Sequence, residues 1–263
     1  MNAAPCRQLA LYYDAIFSPR RAPVDAARNH ILARILPAVQ TACDLACGTG
    51  VTAVQLASRG IQTAAVDFSP DMCRLTRARA KAAGARLKVI HADMREFRLP
   101  APVDLITCES DALNHIPRRS DLRRVIRSVS RALNPGGHFY FEVNNEAGFR
   151  RYWITTSCTE LPGVLLVMRN SHSPDGRTAW SDLDWFIASK NERTWRRVHE
   201  RVQEVCWTAE QITETLTAAG FDAIRTHDST PYYRDNPWIV PGCRTVWLAR
   251  KSVILTAEAI SAP

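Results

Sequence analysis

The chain has 263 residues, enough to bury a full α/β core. Apolar residues make up 46% and charged residues 23%, an ordinary globular balance. No apolar run reaches membrane-spanning length and no basic-then-apolar segment opens the chain, so a cytoplasmic enzyme with no membrane partner is expected.

The net charge of +8 rests mostly on arginine and invites an anionic partner. However, Arg118, Arg119, Arg123, Arg124, Arg127 and Arg131 surround a helical stripe of Leu122, Val125, Ile126 and Val129 and read as a solvated face. The 8 cysteines include no C-x-x-C pair, and several lie inside apolar runs. No metal or iron–sulfur site is expected.

Residues 7–17 read as a helix with Leu9, Tyr12, Tyr13, Ile16 and Phe17 roughly on one side, and residues 24–40 as a second helix. Strand-like runs then fall at 41–46, 62–67, 86–91, 103–108 and 137–143. Helix-like runs lie between them at 50–59, 70–83 and 119–133. This alternation predicts βαβ units and a parallel sheet. Gly60, Gly84 and Asn134-Pro135-Gly136-Gly137 supply the breaks.

Residues 150–207 interrupt the pattern. Val164–Ser171, Thr178–Ser189 and Thr194–Trp207 read as antiparallel strands, the first two joined at Pro174-Asp175-Gly176. Thr208 opens a helix with a capping-box sequence, Gly220 closes it, and strands follow near 222–228 and 244–250. The organisation expected is an N-terminal helical cap (1–40), a cofactor core (41–149), an antiparallel insertion forming a lid (150–207), a return to the core (208–251) and a tail (252–263).

Asp44-Leu45-Ala46-Cys47-Gly48-Thr49-Gly50 joins the first strand to a helix. Glycine there lets backbone N–H groups approach a ligand, so the loop reads as a nucleoside-cofactor site. Gly48 to Ala53 also satisfies the loose G-x-G-x-x-A dinucleotide pattern. Asp67 ends the second strand where ribose hydroxyls would lie. Asp93-Met94 ends the third, offering an acceptor and an apolar side chain to adenine.

With Leu133-Asn134-Pro135-Gly136-Gly137 before the fifth strand, this ordered set resembles the class I S-adenosylmethionine-dependent methyltransferases. Tyr12-Tyr13-Asp14 and Asp93-Met94-Arg95-Glu96-Phe97 are similar to the small-molecule branch, which includes sugar-amine N-methyltransferases and other natural-product enzymes. The resemblance implies a Rossmann-like α/β sheet of seven strands, mostly parallel with the last antiparallel, with helices on both faces. It implies S-adenosylmethionine as cofactor. The cofactor site would comprise Tyr13, Asp44, Ala46, Gly48, Thr49, Gly50, Asp67, Phe68, Met72, Asp93, Met94, Arg95 and Glu109.

The expected reaction is in-line transfer of a methyl group to nitrogen or oxygen of a small molecule, with sulfur and carbon less favoured. His115 is the first candidate base, because an unperturbed imidazole titrates near working pH. Glu109 and Asp111 are its catalytic companions. Tyr12, Phe17, Asn144, His172, Asp184 and Trp185 are the expected substrate contacts. The chain is expected to act as monomer or homodimer.

Three rival readings remain. A nucleic-acid methyltransferase is disfavoured because Cys108-Glu109-Ser110-Asp111 replaces the Asn/Asp-Pro-Pro-aromatic run of amino-methylating members, and no core Pro-Cys is present. The resemblance of Asp235-Asn236-Pro237-Trp238 to that run lies far from the strand concerned. A nicotinamide oxidoreductase rests on the dinucleotide pattern alone. A non-catalytic S-adenosylmethionine-binding regulator is opposed by the intact motifs.

Overall fold

The computed structural model describes residues 7–18, 21–189, 193–233 and 240–253. Helices α1 (Arg7–Phe17) and α2 (Arg21–Ile31) precede the alternating core. The second helix stops earlier than the sequence suggests. Beyond Ile31 the chain turns and makes only a short 3-10 helix at Leu36–Ala38, with Pro37 in its first turn. The remainder of the core comprises β1 (Thr41–Leu45), α3 (Val51–Ser58), β2 (Gln62–Asp67), α4 (Pro70–Ala82), β3 (Leu87–His91), β4 (Val103–Cys108), α5 (Arg119–Ala132) and β5 (Leu133–Asn144).

An insertion follows: α6 (Glu146–Tyr152), then β6 (Thr156–Leu161), β7 (Val164–His172), β8 (Thr178–Ala188) and β9 (Trp195–Val205). The chain returns through α7 (Ala209–Ala218), β10 (Arg225–Asp228), α8 (Thr230–Tyr233) and β11 (Arg244–Arg250). Asp235 to Trp238 lie outside the described residues.

The main sheet has seven strands in the order β10-β11-β5-β4-β1-β2-β3. Strands β1 to β5 pair in parallel, while β11 is antiparallel to both β5 and β10. Their near-continuous apolar runs have a physical cause: helices pack on both faces of the sheet, so side chains on both parities are buried. Cys43, Leu45, Ile106, Phe139 and Phe141 are all fully buried. On α5, Leu122, Val125, Ile126 and Val129 enter the same core, and the six arginines named above are exposed.

The insertion is a separate antiparallel sheet, β6-β7-β8-β9. Its inner face packs on α1, joining Ile16 to Val164, Leu166, Leu183 and Trp185. Glu200 of β9 caps α1, accepting from the N–H groups of Gln8 (2.8 Å) and Leu9 (3.2 Å). A carboxylate there is favoured by the unpaired donors and the helix dipole. The sequence did not suggest α6, α8 or β6. The last is a short edge strand of alternating exposed and half-buried residues, too polar to carry a strand signal.

Candidate functional site

Two irregular loops meet at the C-terminal edge of the sheet. One is the turn after β1, with Ala46, Gly48 and Gly50 at φ of 54°, 54° and 81°. The other follows β4, with Ser110 and Asp111 at 56° and 53°. Ala46, Ser110 and Asp111 are the non-glycine residues with positive φ among those described. Such backbone is costly and concentrates at functional sites.

Each glycine of the first turn has its own reason. A Cβ on Gly50 would lie 2.6 Å from Thr76 Cγ2, so the packing of α4 excludes any side chain. A Cβ on Gly48 would meet nothing within 4 Å. Its open side belongs to a cavity of about 430 Å³, lined also by Ala46, Thr49 and Asp44 from the core and by Tyr13 and Phe17 from α1. That open loop leaves room for a ligand against the backbone.

The carboxylates around the loop hold it. Asp44 accepts from the Ala53 N–H (3.0 Å), capping α3, and from Thr107 Oγ1 (2.9 Å). Burial and the neighbouring Glu109 push Asp44 up to about 7. Asp67 accepts from the N–H groups of Gly48 (2.8 Å) and Ser69 (2.8 Å), and burial raises its pKa. Ser69 in turn caps α4 by accepting from the Met72 N–H.

Next to Asp67, Phe68 leaves 55% of its surface exposed, a free apolar face on the sheet edge. Asp93 is gripped by Arg95, whose Nε lies 3.0 and 2.9 Å from its two oxygens. Burial opposes ionisation of Asp93, but these bonds prevail and lower its pKa. Met94 packs partly buried against the main core.

Helix α1 is fastened to the same turn. Thr49 Oγ1 donates to Asp14 (2.7 Å), Arg79 pairs with Asp14, and Arg79 Nε donates to the Thr49 carbonyl (2.8 Å). Of Tyr12-Tyr13-Asp14, therefore, Asp14 contacts the loop and Tyr13 faces the cavity. Burial and nearby Asp111 raise Tyr13 to about 12.

Glu109 has a different setting from the one its sequence position suggests. It is buried, and its carboxylate takes Arg28 at 3.0 Å, Arg21 at 2.5 Å and Thr52 Oγ1 at 2.6 Å. Burial would raise its pKa, but the two guanidiniums outweigh that and lower it. A carboxylate so fully paired is a poor proton acceptor. Its evident work is to tie α2 and α3 to β4. Arg28, 2% exposed, was not anticipated, although it stands on the apolar stripe of α2 with Val24 and Ala27.

The cavity floor is acidic. Asp111, His115 and Glu204 bring their polar atoms within 4.8 Å of one another. Asn144 Nδ2 bridges Asp111 (2.8 Å) and Glu204 (3.0 Å). Arg244 pairs with Asp111 (2.8 Å) and with buried Glu142 (3.0 Å). That guanidinium balances part of the charge. His115 Nδ1 lies 3.1 Å from the Gln203 carbonyl. A carbonyl only accepts, so Nδ1 carries a proton and Nε2 keeps the free lone pair of the neutral ring. Burial and Asp111 raise the pKa of Glu204 well above the usual carboxylate range.

Several expected substrate contacts lie elsewhere. Trp185 is fully buried beneath α1, stacked on Tyr12 at 5.5 Å, with its Nε1 donating to Glu200. Both rings cement the insertion to the helix. Asp184 is on the outer face of the insertion, paired with Arg169, Arg197 and His199, and these bonds bring it down to about 2 against the opposing effect of burial. His172 is exposed at the end of β7, against the Ser173 carbonyl. Phe17 and Asn144 do line the cavity. From the insertion, Met168, Asn170, Ser181, Leu183, Val202 and Glu204 join them.

Fold and site together define a Rossmann-like α/β core with a glycine turn at the sheet edge and a cavity with an acidic floor. Residues 42–137 match the family described as "Methyltransferase domain". A Saccharopolyspora spinosa protein, named as a dTDP-4-amino-2,3,4,6-tetradeoxy-D-glucose N,N-dimethyltransferase, is 29% identical over 67% of this chain and 71% of its own length.

Two solved structures share the fold. A S-adenosylmethionine-dependent methyltransferase from Clostridium acetobutylicum superposes with a TM-score of 0.74 at 21% identity, covering 92% of this chain and 96% of its own. The sugar N-methyltransferase KedS8 from Streptoalloteichus gives 0.70 at 20% identity, covering 91% and 92%. The chain thus carries a methyltransferase domain at residues 42–137 and has the fold of class I S-adenosylmethionine-dependent methyltransferases. The antiparallel β11, placed between β5 and β10, also departs from the all-parallel order of nicotinamide-binding sheets. Among the described residues, no helix is long and apolar enough to cross a membrane.

Proposed function

We propose that this methyltransferase acts on an amine nitrogen of a small molecule. The observation that carries this reading is the charge imbalance of the cavity floor. Asp111 and Glu204 line it beside one guanidinium, Arg244, which pairs with Asp111 and is shared with buried Glu142. A cationic ammonium would complete that balance, whereas a phenol or thiol would not. The Saccharopolyspora relative is named for N-methylation of an amino sugar, in keeping with this.

S-Adenosylmethionine supplies an activated methyl group that an in-line nucleophile can take. The residues present suit it. The backbone of Ala46 and Gly48 would hold its methionine portion, Asp67 the ribose hydroxyls, and Asp93-Met94 with Phe68 the adenine. Residues 150–207 would serve as a lid, with Met168, Asn170, Ser181 and Leu183 shaping the acceptor chamber and excluding water. Tyr13 and Phe17, whose ring centroids are 4.8 Å apart, would wall the reaction centre. Asp111 and His115 would orient the acceptor.

The test is S-adenosylhomocysteine release with dTDP-4-amino-2,3,4,6-tetradeoxy-D-glucose, benzylamine, catechol and 2-mercaptoethanol. Turnover of an amine, with product methylated on nitrogen, is expected. Turnover of catechol or the thiol alone would refute the amine assignment.

A further inference from the structure

Building on the amine reading, we propose that Glu204, a residue of the lid and not of the cofactor core, is the catalytic base that deprotonates the acceptor ammonium. Four observations converge on it. It lines the cavity while only 6% exposed. It accepts a hydrogen bond from Asn144, which is itself fixed by Asp111 and Asn114. It adjoins His115, an exposed ring that can pass a proton to solvent. The stronger candidate by charge, Glu109, is fully engaged with Arg21 and Arg28.

The charged and titratable groups facing Glu204 are Asp111 and His115 from the loop after β4 and Arg244 from β11. Burial and Asp111 favour its protonated form, while His115, Asn144 and Arg244 oppose this, and the net shift is upward. A base is most effective when it titrates near the working pH.

In the step proposed, one ammonium proton moves to a Glu204 oxygen. The freed nitrogen pair then forms the N–CH3 bond as the methyl–sulfur bond breaks, its electrons remaining on sulfur. The product leaves as the methylated ammonium, and the Glu204 proton departs by way of His115. Because β9 belongs to the insertion, the base is complete only when the lid is seated.

The experiment compares wild type, Glu204→Gln and Glu204→Asp on benzylamine and the amino-sugar nucleotide, across pH. Gln keeps the shape and can still accept from Asn144. Near neutral pH, Glu204→Gln should lower kcat by roughly 100-fold or more, the usual scale for a general base. Its rate should climb toward wild type as pH rises and the amine arrives already neutral. Glu204→Asp should retain part of the rate, and S-adenosylhomocysteine affinity should be unchanged in both.

A carboxyl-carbon NMR titration of wild type should place Glu204 well above ordinary glutamates. An unaltered pH profile in Glu204→Gln, or a deficit equal at every pH, would overturn the proposal. So would a Glu204 carboxyl titrating in the ordinary range. Catechol turnover without amine turnover would instead strike at the amine reading beneath it.

Discussion

Replacing Arg28 with methionine tests whether the buried charge network holds the N-terminal helices to the core. The guanidinium is 2% exposed and reaches Glu109 at 3.0 Å, Asp25 at 3.0 Å and Thr52 at 3.1 Å, with a further bond to Gln55. Methionine fills similar space but leaves the buried Glu109 carboxylate short of one partner. Removing one member of a buried pair costs about 3–5 kcal/mol. Arg21 still reaches Glu109 at 2.5 Å but is 22% exposed, so the loss should lie near the lower end, about 3 kcal/mol. For a chain of this size that is a fall in Tm of roughly 6–12 °C.

Urea unfolding gives the free energy, and Glu109→Gln combined with Arg28→Met gives the coupling. The double variant should recover much of the loss, because no ion is then stranded. The sign with pH is fixed as well. The native Glu109 pKa is lowered, so its pairing stabilises the fold above the ordinary value of 4.5 and is lost as pH falls through the native value. The penalty of Arg28→Met should therefore shrink in acid. A loss below about 1 kcal/mol, or strictly additive variants, would refute the reasoning.

Two further outcomes follow from the turn after β1. Gly50→Ala should cost roughly 2–4 kcal/mol in urea unfolding and weaken S-adenosylhomocysteine binding, because φ is 81° and the added carbon meets buried Thr76 at 2.6 Å. Thr76 cannot swing aside freely, since its hydroxyl donates to the Gly48 carbonyl. Asp44, raised from 3.8 to about 7, makes the native state bind a proton more tightly than the unfolded chain. Its contribution to stability is therefore full below about pH 4 and is lost as pH rises to about 7. Asp44→Asn should flatten that part of the stability–pH curve measured by urea unfolding.

The fold was readable because strands buried on both faces leave long apolar runs, and glycine, proline and capping residues mark their ends. The glycines of the turn after β1 were readable because each meets a backbone demand: Gly50 faces Thr76, and Gly48 opens on the cavity. The acidic floor was only half readable. Asp111 and His115 follow directly from the β4 loop, whereas Glu204 and Arg244 reach the site from strands far along the chain.

Residue type also misled in the insertion. Asp184 and His172 suggested chemistry, yet Leu183 and Trp185 alternate with Asp182 and Asp184, and this parity sends the acids outward. The same parity carries a signal on β9. Glu200 and Glu204 share the inward parity of Val198 and Val202 on β9, where an acid must have a partner or a purpose. Arg28 gave a similar sign from the apolar stripe of α2. Buried charge is hard to recognise in a sequence because its partners are set by tertiary contact: Glu109 lies 81 residues from Arg28.

The proposed function rests on the turn after β1 holding S-adenosylmethionine. Calorimetric titration of the intact chain with S-adenosylhomocysteine tests it, alongside Asp67→Ala and NAD. The expected result is saturable binding at one site and no binding of NAD. Asp67→Ala should weaken affinity by roughly 1–3 kcal/mol, the scale of a lost buried hydrogen-bond partner. Binding of NAD without S-adenosylhomocysteine, or an Asp67→Ala variant with unchanged affinity, would contradict the site described.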